Sequence, residues 1–162
     1  MTSLDLNPLT AISPIDGRYA AQTAPLRAIF SEYGLIARRV CVEIAWLKHL
    51  AAHPGIPEAP PLSTDAEGRL EAIGAGFSLD DAAAVKALEA TTNHDVKAVE
   101  YFLKARLDEN GGELARLREY VHFACTSEDI NNLAHALMLR DARDELLPLV
   151  DGVVDRLQTM AH

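Results

Sequence analysis

Apolar residues recur every three or four positions through most of the chain. After Ser31 the stripe is Tyr33, Ile36, Val40, Ile44, Leu47 and Ala51. That is the spacing of one helical face, and it predicts a helix from a Ser31 cap to about His53. Pro54, Pro57, Pro60 and Pro61 then break the chain. Thr64 with Glu67 reads as a capping box that opens a helix over 65–76. Ser78 with Asp81 reads as a looser one, with a short Asp in place of Glu or Gln, opening 79–90. Asn93 is placed to cap the next helix, whose face carries Val96, Val99, Leu103 and Leu107. Asn110-Gly111-Gly112 stops that helix, and a short one follows over 113–121.

The last segment differs. From Glu128 to His162 nothing is strong enough to end a helix. Ile130, Leu133 and Leu137 make one stripe. Ala142, Leu146, Leu149, Val153, Leu157 and Met160 continue it, after a slip across Arg140–Glu145. Pro148 should kink this helix rather than stop it. A stripe on a helix of about 35 residues needs partner helices to cover it, so the pattern reads as a chain cut inside a helical bundle. No period-2 strand, internal repeat or low-complexity tract is present. The fold class is all-α.

Composition narrows the function classes. The 162 residues are 49% hydrophobic and 24% charged, which excludes disorder and collagen-like repeats. No apolar run reaches the roughly 18 residues of a membrane span, and the first residues lack the pattern of a signal peptide, so a cytoplasmic location is expected. The net charge is -9. Nucleic acids and anionic membranes draw binding energy from excess positive charge, so neither is an expected partner. An anionic small substrate still fits, provided its site is locally positive or rich in backbone N–H donors. Cys41 and Cys125 form no CxxC or metal-ligand pattern and read as free thiols. No metal is expected, and HExxH, P-loop, GxGxxG and GxSxG motifs are absent.

Three polar stretches could carry chemistry, and each has two readings. Ser13-Pro14-Ile15-Asp16-Gly17-Arg18-Tyr19 is either a surface turn with a solvated Arg or a bend that offers a guanidinium fork to phosphate. Thr91-Thr92-Asn93-His94-Asp95 lies at a helix start, where unpaired N–H groups and the dipole favour an anion. There His94 is either an exposed bystander or a phosphate donor and proton carrier, with Asp95 holding its tautomer. Cys125-Thr126-Ser127-Glu128-Asp129 opens the long helix, with Thr126 and Asp129 again resembling a capping box. Thr126 and Ser127 either cap that helix or cradle a carboxylate. The adjacent Asn131-Asn132 pair hints at hydrogen-bonding work, since Asn is a weak helix former. His49, His53, His122 and His135 do not cluster by spacing and read as packing or surface residues.

At these places the sequence resembles the adenylosuccinate lyase family of the fumarase/aspartase superfamily. The resemblance rests on SPIDGRY (13–19), FSEYGLIARRV (30–40), TTNHDVKAVEYFL (91–103) and HFACTSEDINNLAHALML (122–139), in family order. It implies an N-terminal helical domain over 1–121 and the start of a truncated central helical bundle over 122–162. It also implies a β-elimination that cleaves adenylosuccinate to AMP and fumarate, and likewise the succinyl-carboxamide imidazole ribotide, with no cofactor. A base removes a proton beside a carboxylate and an acid protonates the departing nitrogen, so donors aimed at that carboxylate lower the barrier.

By the same resemblance, Arg18 and Tyr19 hold the nucleotide near its phosphate. Asn93, His94 and Asp95 line the same site, with His94 a candidate auxiliary catalytic group. Thr126 and Ser127 hold the succinyl or fumarate carboxylates. The family's acid histidine belongs to a Ser-x-Thr-His-Gly-type segment and its base serine to a later loop. Neither motif occurs here, and His162 lacks that context. The chain should therefore carry binding residues without the catalytic pair, and the resemblance implies that the full-length protein is a homotetramer whose sites draw on three subunits. Another lyase of the superfamily, or a non-enzymatic helical interaction module, are the alternative readings.

Overall fold

The computed structural model describes residue 5 and residues 7–161. Among these it holds seven α-helices and no strand. They are α1 (Arg27–Phe30), α2 (Glu32–Ala52), α3 (Thr64–Ala75), α4 (Leu79–Thr92), α5 (Asp95–Asn110), α6 (Gly112–Arg116) and α7 (Ser127–Ala161). Single 3-10 turns precede α1 and follow α6, so the short helix expected over 113–121 is split in two.

α2 organises the molecule because it is covered on two sides. Ile36, Val40, Ile44 and Leu47, four of the expected stripe, pack with Leu70 of α3, Val85 of α4 and Val99, Leu103 and Leu107 of α5. Leu114 and Leu117 close the bottom of that core. Burying a Leu or Ile side chain contributes about 1.5–3 kcal/mol, so this cluster dominates the stability of 32–117. The other side of α2 meets α7: Val42 packs with Val96, Ile130 and Ala134, and Ile29 of α1 packs with Met138 and Ala142. Gly34 lets α1 lie against the start of α2. A Cβ there would stand 2.3 Å from the Ile29 carbonyl oxygen.

The caps confirm some expectations and correct others. The Ser31 hydroxyl accepts from the Gly34 N–H, and Ser78 with Asp81 forms a full capping box. The expected Thr64–Glu67 box is not there. Ser63 caps α3 by accepting from the Ala66 N–H, and Thr64 is already helical. Asn93 does not cap α5 either. It ends α4 in the left-handed conformation, at φ 51°, and the cap of α5 is His94. Asn is favoured both as an N-cap and as a left-handed residue, and spacing alone does not separate the two.

α7 is one 35-residue helix that runs through Pro148. Its buried face is Ile130, Ala134, Met138 and Ala142; the expected Ile130 and Ala142 are on it, while Ala134 and Met138 take the places expected for Leu133 and Leu137. Leu133 is exposed, and Leu137 is only partly covered. Beyond Ala142 the described residues of α7 are exposed, including Leu146, Leu149, Val153, Leu157 and Met160. His162, to which the sequence pattern extends this helix, lies outside the described residues.

Candidate functional site

The starts of α5 and α7 come together against one stretch of α2. Arg39 joins them and is almost wholly buried, with only 5% of its side chain exposed. Its Nη2 donates to Asp95 Oδ2 at 2.6 Å, and its Nε donates to Asn131 Oδ1 at 2.9 Å. Asn131 then donates from Nδ2 to Glu128 Oε1. The hydrogen-bonding role suggested by the Asn pair therefore belongs to Asn131, while Asn132 is exposed.

At the start of α5, His94 Nδ1 accepts from the Lys97 N–H at 3.2 Å. A ring nitrogen that accepts carries no hydrogen, so the hydrogen of a neutral ring sits on Nε2, away from the helix. Asp95 does not hold that tautomer, as the sequence had suggested. Its Oδ1 takes the Val96 N–H and its Oδ2 takes Arg39, leaving Oδ1 3.7 Å from His94 Nδ1. Burial pushes the Asp95 carboxyl up, but the Val96 N–H and the Arg39 guanidinium outweigh it and hold the group below the usual carboxylate range. Asp95 is thus an anion tied to α2. Asn93, His94 and Asp95 line an open cleft of about 370 Å³ with Arg39, Leu35, Glu32 and Glu89.

At the start of α7 the donors are partly used. Asp129 Oδ2 accepts from the Thr126 N–H at 2.7 Å and from the Thr126 hydroxyl at 2.9 Å. These bonds hold Asp129 below the usual carboxylate range. They form half of the expected capping box: the carboxylate reaches back, while the Asp129 N–H goes to the Thr126 carbonyl rather than the hydroxyl. Ser127 is half-exposed, and its hydroxyl makes no hydrogen bond among the described residues. Of the two hydroxyls, that of Ser127 is the one left to meet an outside group. Burial raises the Cys125 thiol, as do the charges of Glu43 and Asp129, so Cys125 is a poor nucleophile.

The loop before α7 is held from α2 as well. His122 and Ala124 adopt positive φ, 63° and 60°, a conformation that costs non-glycine residues about 1–2 kcal/mol each. Glu43, with no side-chain exposure, accepts from the His122 N–H and lies 2.6 Å from His122 Nδ1. Trp46 Nε1 donates to the Phe123 carbonyl. Burial pushes the Glu43 carboxyl up, and the His122 contacts offset part of that rise. His122, read from sequence as a packing or surface residue, is thus an anchor of this loop.

Arg18 and Tyr19 stand apart. Both are exposed, with the Arg18 guanidinium 5.0 Å from the Tyr19 ring centroid. Among the described residues neither side chain hydrogen-bonds to the other two stretches. No group of three or more His, Cys, Asp or Glu able to hold a metal is found among the described residues, and no helix there is long and apolar enough to cross a membrane.

Sequence reasoning missed Arg39 and Glu43. A signal was present: Leu35, Val42 and Trp46 lie off the Ile36–Leu47 stripe, which makes α2 apolar on more than one side. Such a helix is covered twice, and its charged residues then need buried partners.

An all-helical segment that gathers anion-friendly helix starts on a buried arginine defines a class of enzyme when set beside known proteins. Residues 17–162 match the family described as lyase, and the chain belongs to that family. Its relatives narrow the class. It is 58% identical to the adenylosuccinate lyase of Escherichia coli (strain K12) over 157 residues, which are 94% of this chain and 34% of that protein. It is 55% identical to the adenylosuccinate lyase of Haemophilus influenzae, and 52% identical to that of Vibrio cholerae, each over 160 residues, 98% of this chain and 35% of the relative. The chain therefore spans about a third of the length of the curated relatives it matches.

Proposed function

We propose that this chain is the N-terminal third of an adenylosuccinate lyase, cleaving adenylosuccinate to AMP and fumarate by β-elimination in the cytoplasm, as a homotetramer. The same site would take the succinyl-carboxamide imidazole ribotide. The observation that carries the reading is identity of 52–58% to adenylosuccinate lyases over almost the whole chain. Three features support it: the junction at Arg39, the unpaired Ser127 hydroxyl, and the exposed apolar half of α7, which suits burial against further helices.

In this reading Ser127, backed by the N-terminus of α7, donates to the carboxylate beside the departing proton. That carboxylate gains charge in the transition state, so a donor there lowers the barrier. The outward Nε2–H of His94 and the Asn93 amide serve the nucleotide end, with Arg18 and Tyr19 near its phosphate. Asp95 keeps Arg39 in register. Thr126, engaged with Asp129, serves the helix first and the substrate second. The acid and the base come from chain beyond residue 162, and no cofactor takes part.

The test compares the 162-residue chain with the full-length protein in an adenylosuccinate cleavage assay. Losing positioned proton transfer costs about 100-fold or more per group, so the isolated chain should be inactive and the full-length protein active. Equal turnover by the two would contradict the division of labour. An inactive full-length protein would contradict the function.

A further inference from the structure

Arg39 is charged and buried, and its few exposed atoms line the cleft of Asn93, His94 and Asp95. Its partners sit on different helices: Asp95 opens α5, and Asn131 lies in the second turn of α7. Among the described residues it is the side chain that hydrogen-bonds to both. Among the described residues the two starts also share an apolar cluster of Val42, Val96, Ile130 and Ala134, with Leu35, Cys125 and Leu137 packed against it, and apolar contact is non-directional. A guanidinium is planar, with donors in a fixed fork, so bonds from its Nε and Nη2 fix both distance and angle. The Asp95 carboxylate is fixed in turn by the Val96 N–H, and the Asn131 amide by Glu128. The chain Val96–Asp95–Arg39–Asn131–Glu128 is therefore a rigid polar brace.

We propose that Arg39 is a positioning residue that sets the spacing between the His94 end and the Ser127 end of the substrate site. The inference rests on the functional reading above and adds to it a reason for a buried cation behind the site. A substrate held at both ends must meet two sets of donors at once. A shift of about 1 Å between them can cost up to about 100-fold in rate. Lysine keeps the charge, but its three donors share one freely rotating nitrogen, so bonds to Asp95 and Asn131 no longer fix the angle and spacing that the guanidinium fork sets.

The test uses the full-length protein with Arg39→Lys, Asn131→Ala and the double variant. Steady-state kinetics on adenylosuccinate, melting temperature and amide hydrogen exchange are read together. Arg39→Lys should lower kcat/KM at least tenfold, chiefly through kcat, with the melting temperature within a few degrees of wild type. Asn131→Ala should behave alike. The double variant should be no worse than Arg39→Lys alone, because both break one brace. Exchange should quicken at amides 95–98 and 127–131 together, and stay unchanged in α3.

Wild-type kcat/KM in Arg39→Lys overturns the proposal, as do losses that add in the double variant. Losses that follow a fallen melting temperature in both single variants assign Arg39 to the fold alone and overturn it too. If the wild type does not cleave adenylosuccinate, the functional reading falls, and hydrogen exchange then decides the brace by itself. Faster exchange at only one of the two starts overturns it whatever the activity.

Discussion

The starts of α5 and α7 face the same problem and solve it differently. Each is a helix N-terminus with unpaired N–H groups. α5 covers one of its donors with a ring nitrogen of His94. α7 has the Asp129 carboxylate folded back on the Thr126 N–H and hydroxyl. The first leaves an N–H donor pointing outward. The second puts a negative charge where an outside carboxylate would approach Thr126. Adjacent hydroxyls at a helix start are therefore not equivalent, and at α7 the hydroxyl open to a ligand belongs to Ser127. Both starts are braced from α2, by Arg39 at one junction and by Glu43 at the loop before α7.

The largest expected effect separates the two hydroxyls. In full-length protein, Ser127→Ala should reduce kcat on adenylosuccinate by about 100-fold or more, the usual result of removing one donor to a developing anion. KM and melting temperature should change little. Unchanged kcat with a lowered melting temperature would make Ser127 a simple cap.

Next is His94→Ala. It should reduce activity about tenfold or more if the outward N–H serves the nucleotide. It should also destabilise by about 1 kcal/mol, because the ring nitrogen caps α5. Melting and turnover measured on one preparation separate the two parts. A stability loss with full activity would reduce His94 to its cap.

Thr126→Ala is expected to cost about 0.5–2 kcal/mol of stability, in the range of a lost helix cap, while leaving most of kcat. A kcat loss equal to that of Ser127→Ala would erase the contrast between the hydroxyls.

The smallest effect concerns pH. The Glu43 carboxyl is raised in the folded chain, mainly by burial, above its unfolded value of about 4.3. A raised group contributes stability that is full below the unfolded value and is lost as pH rises through the folded one. Glu43→Gln removes this titration and keeps an acceptor for the His122 N–H. Relative to wild type, the variant should therefore gain stability between pH 4 and pH 7 in denaturant titrations. An equal difference at both pH values would contradict the assignment.

Much of the fold was legible because the helices of 32–110 bury continuous stripes between clear stops. Ser31 and Ser78 could be read as caps since each stands alone before its helix. Ser63 and Thr64 are adjacent hydroxyls, and either satisfies the pattern, so spacing does not say which of them caps α3. The role of Asn93 is hidden because the left-handed end of α4 and the cap of α5 share one short stretch. On α7, small Ala134 and Ala142 carry the buried face, while hydropathy drew the stripe through the larger Leu133. The candidate stretches were visible as polar helix starts. Their junction was not, because a buried arginine and a buried glutamate one turn apart look like surface charges until a second helix is known to cover them.

In the proposed function both helix starts face one substrate. Hydrogen exchange on the full-length protein, with and without AMP plus fumarate, reads both starts at once. Amides 95–98 and 127–130 should gain protection together when both ligands are present, while α3 stays unchanged. Protection at neither start, or at α5 with no change at α7, would contradict it.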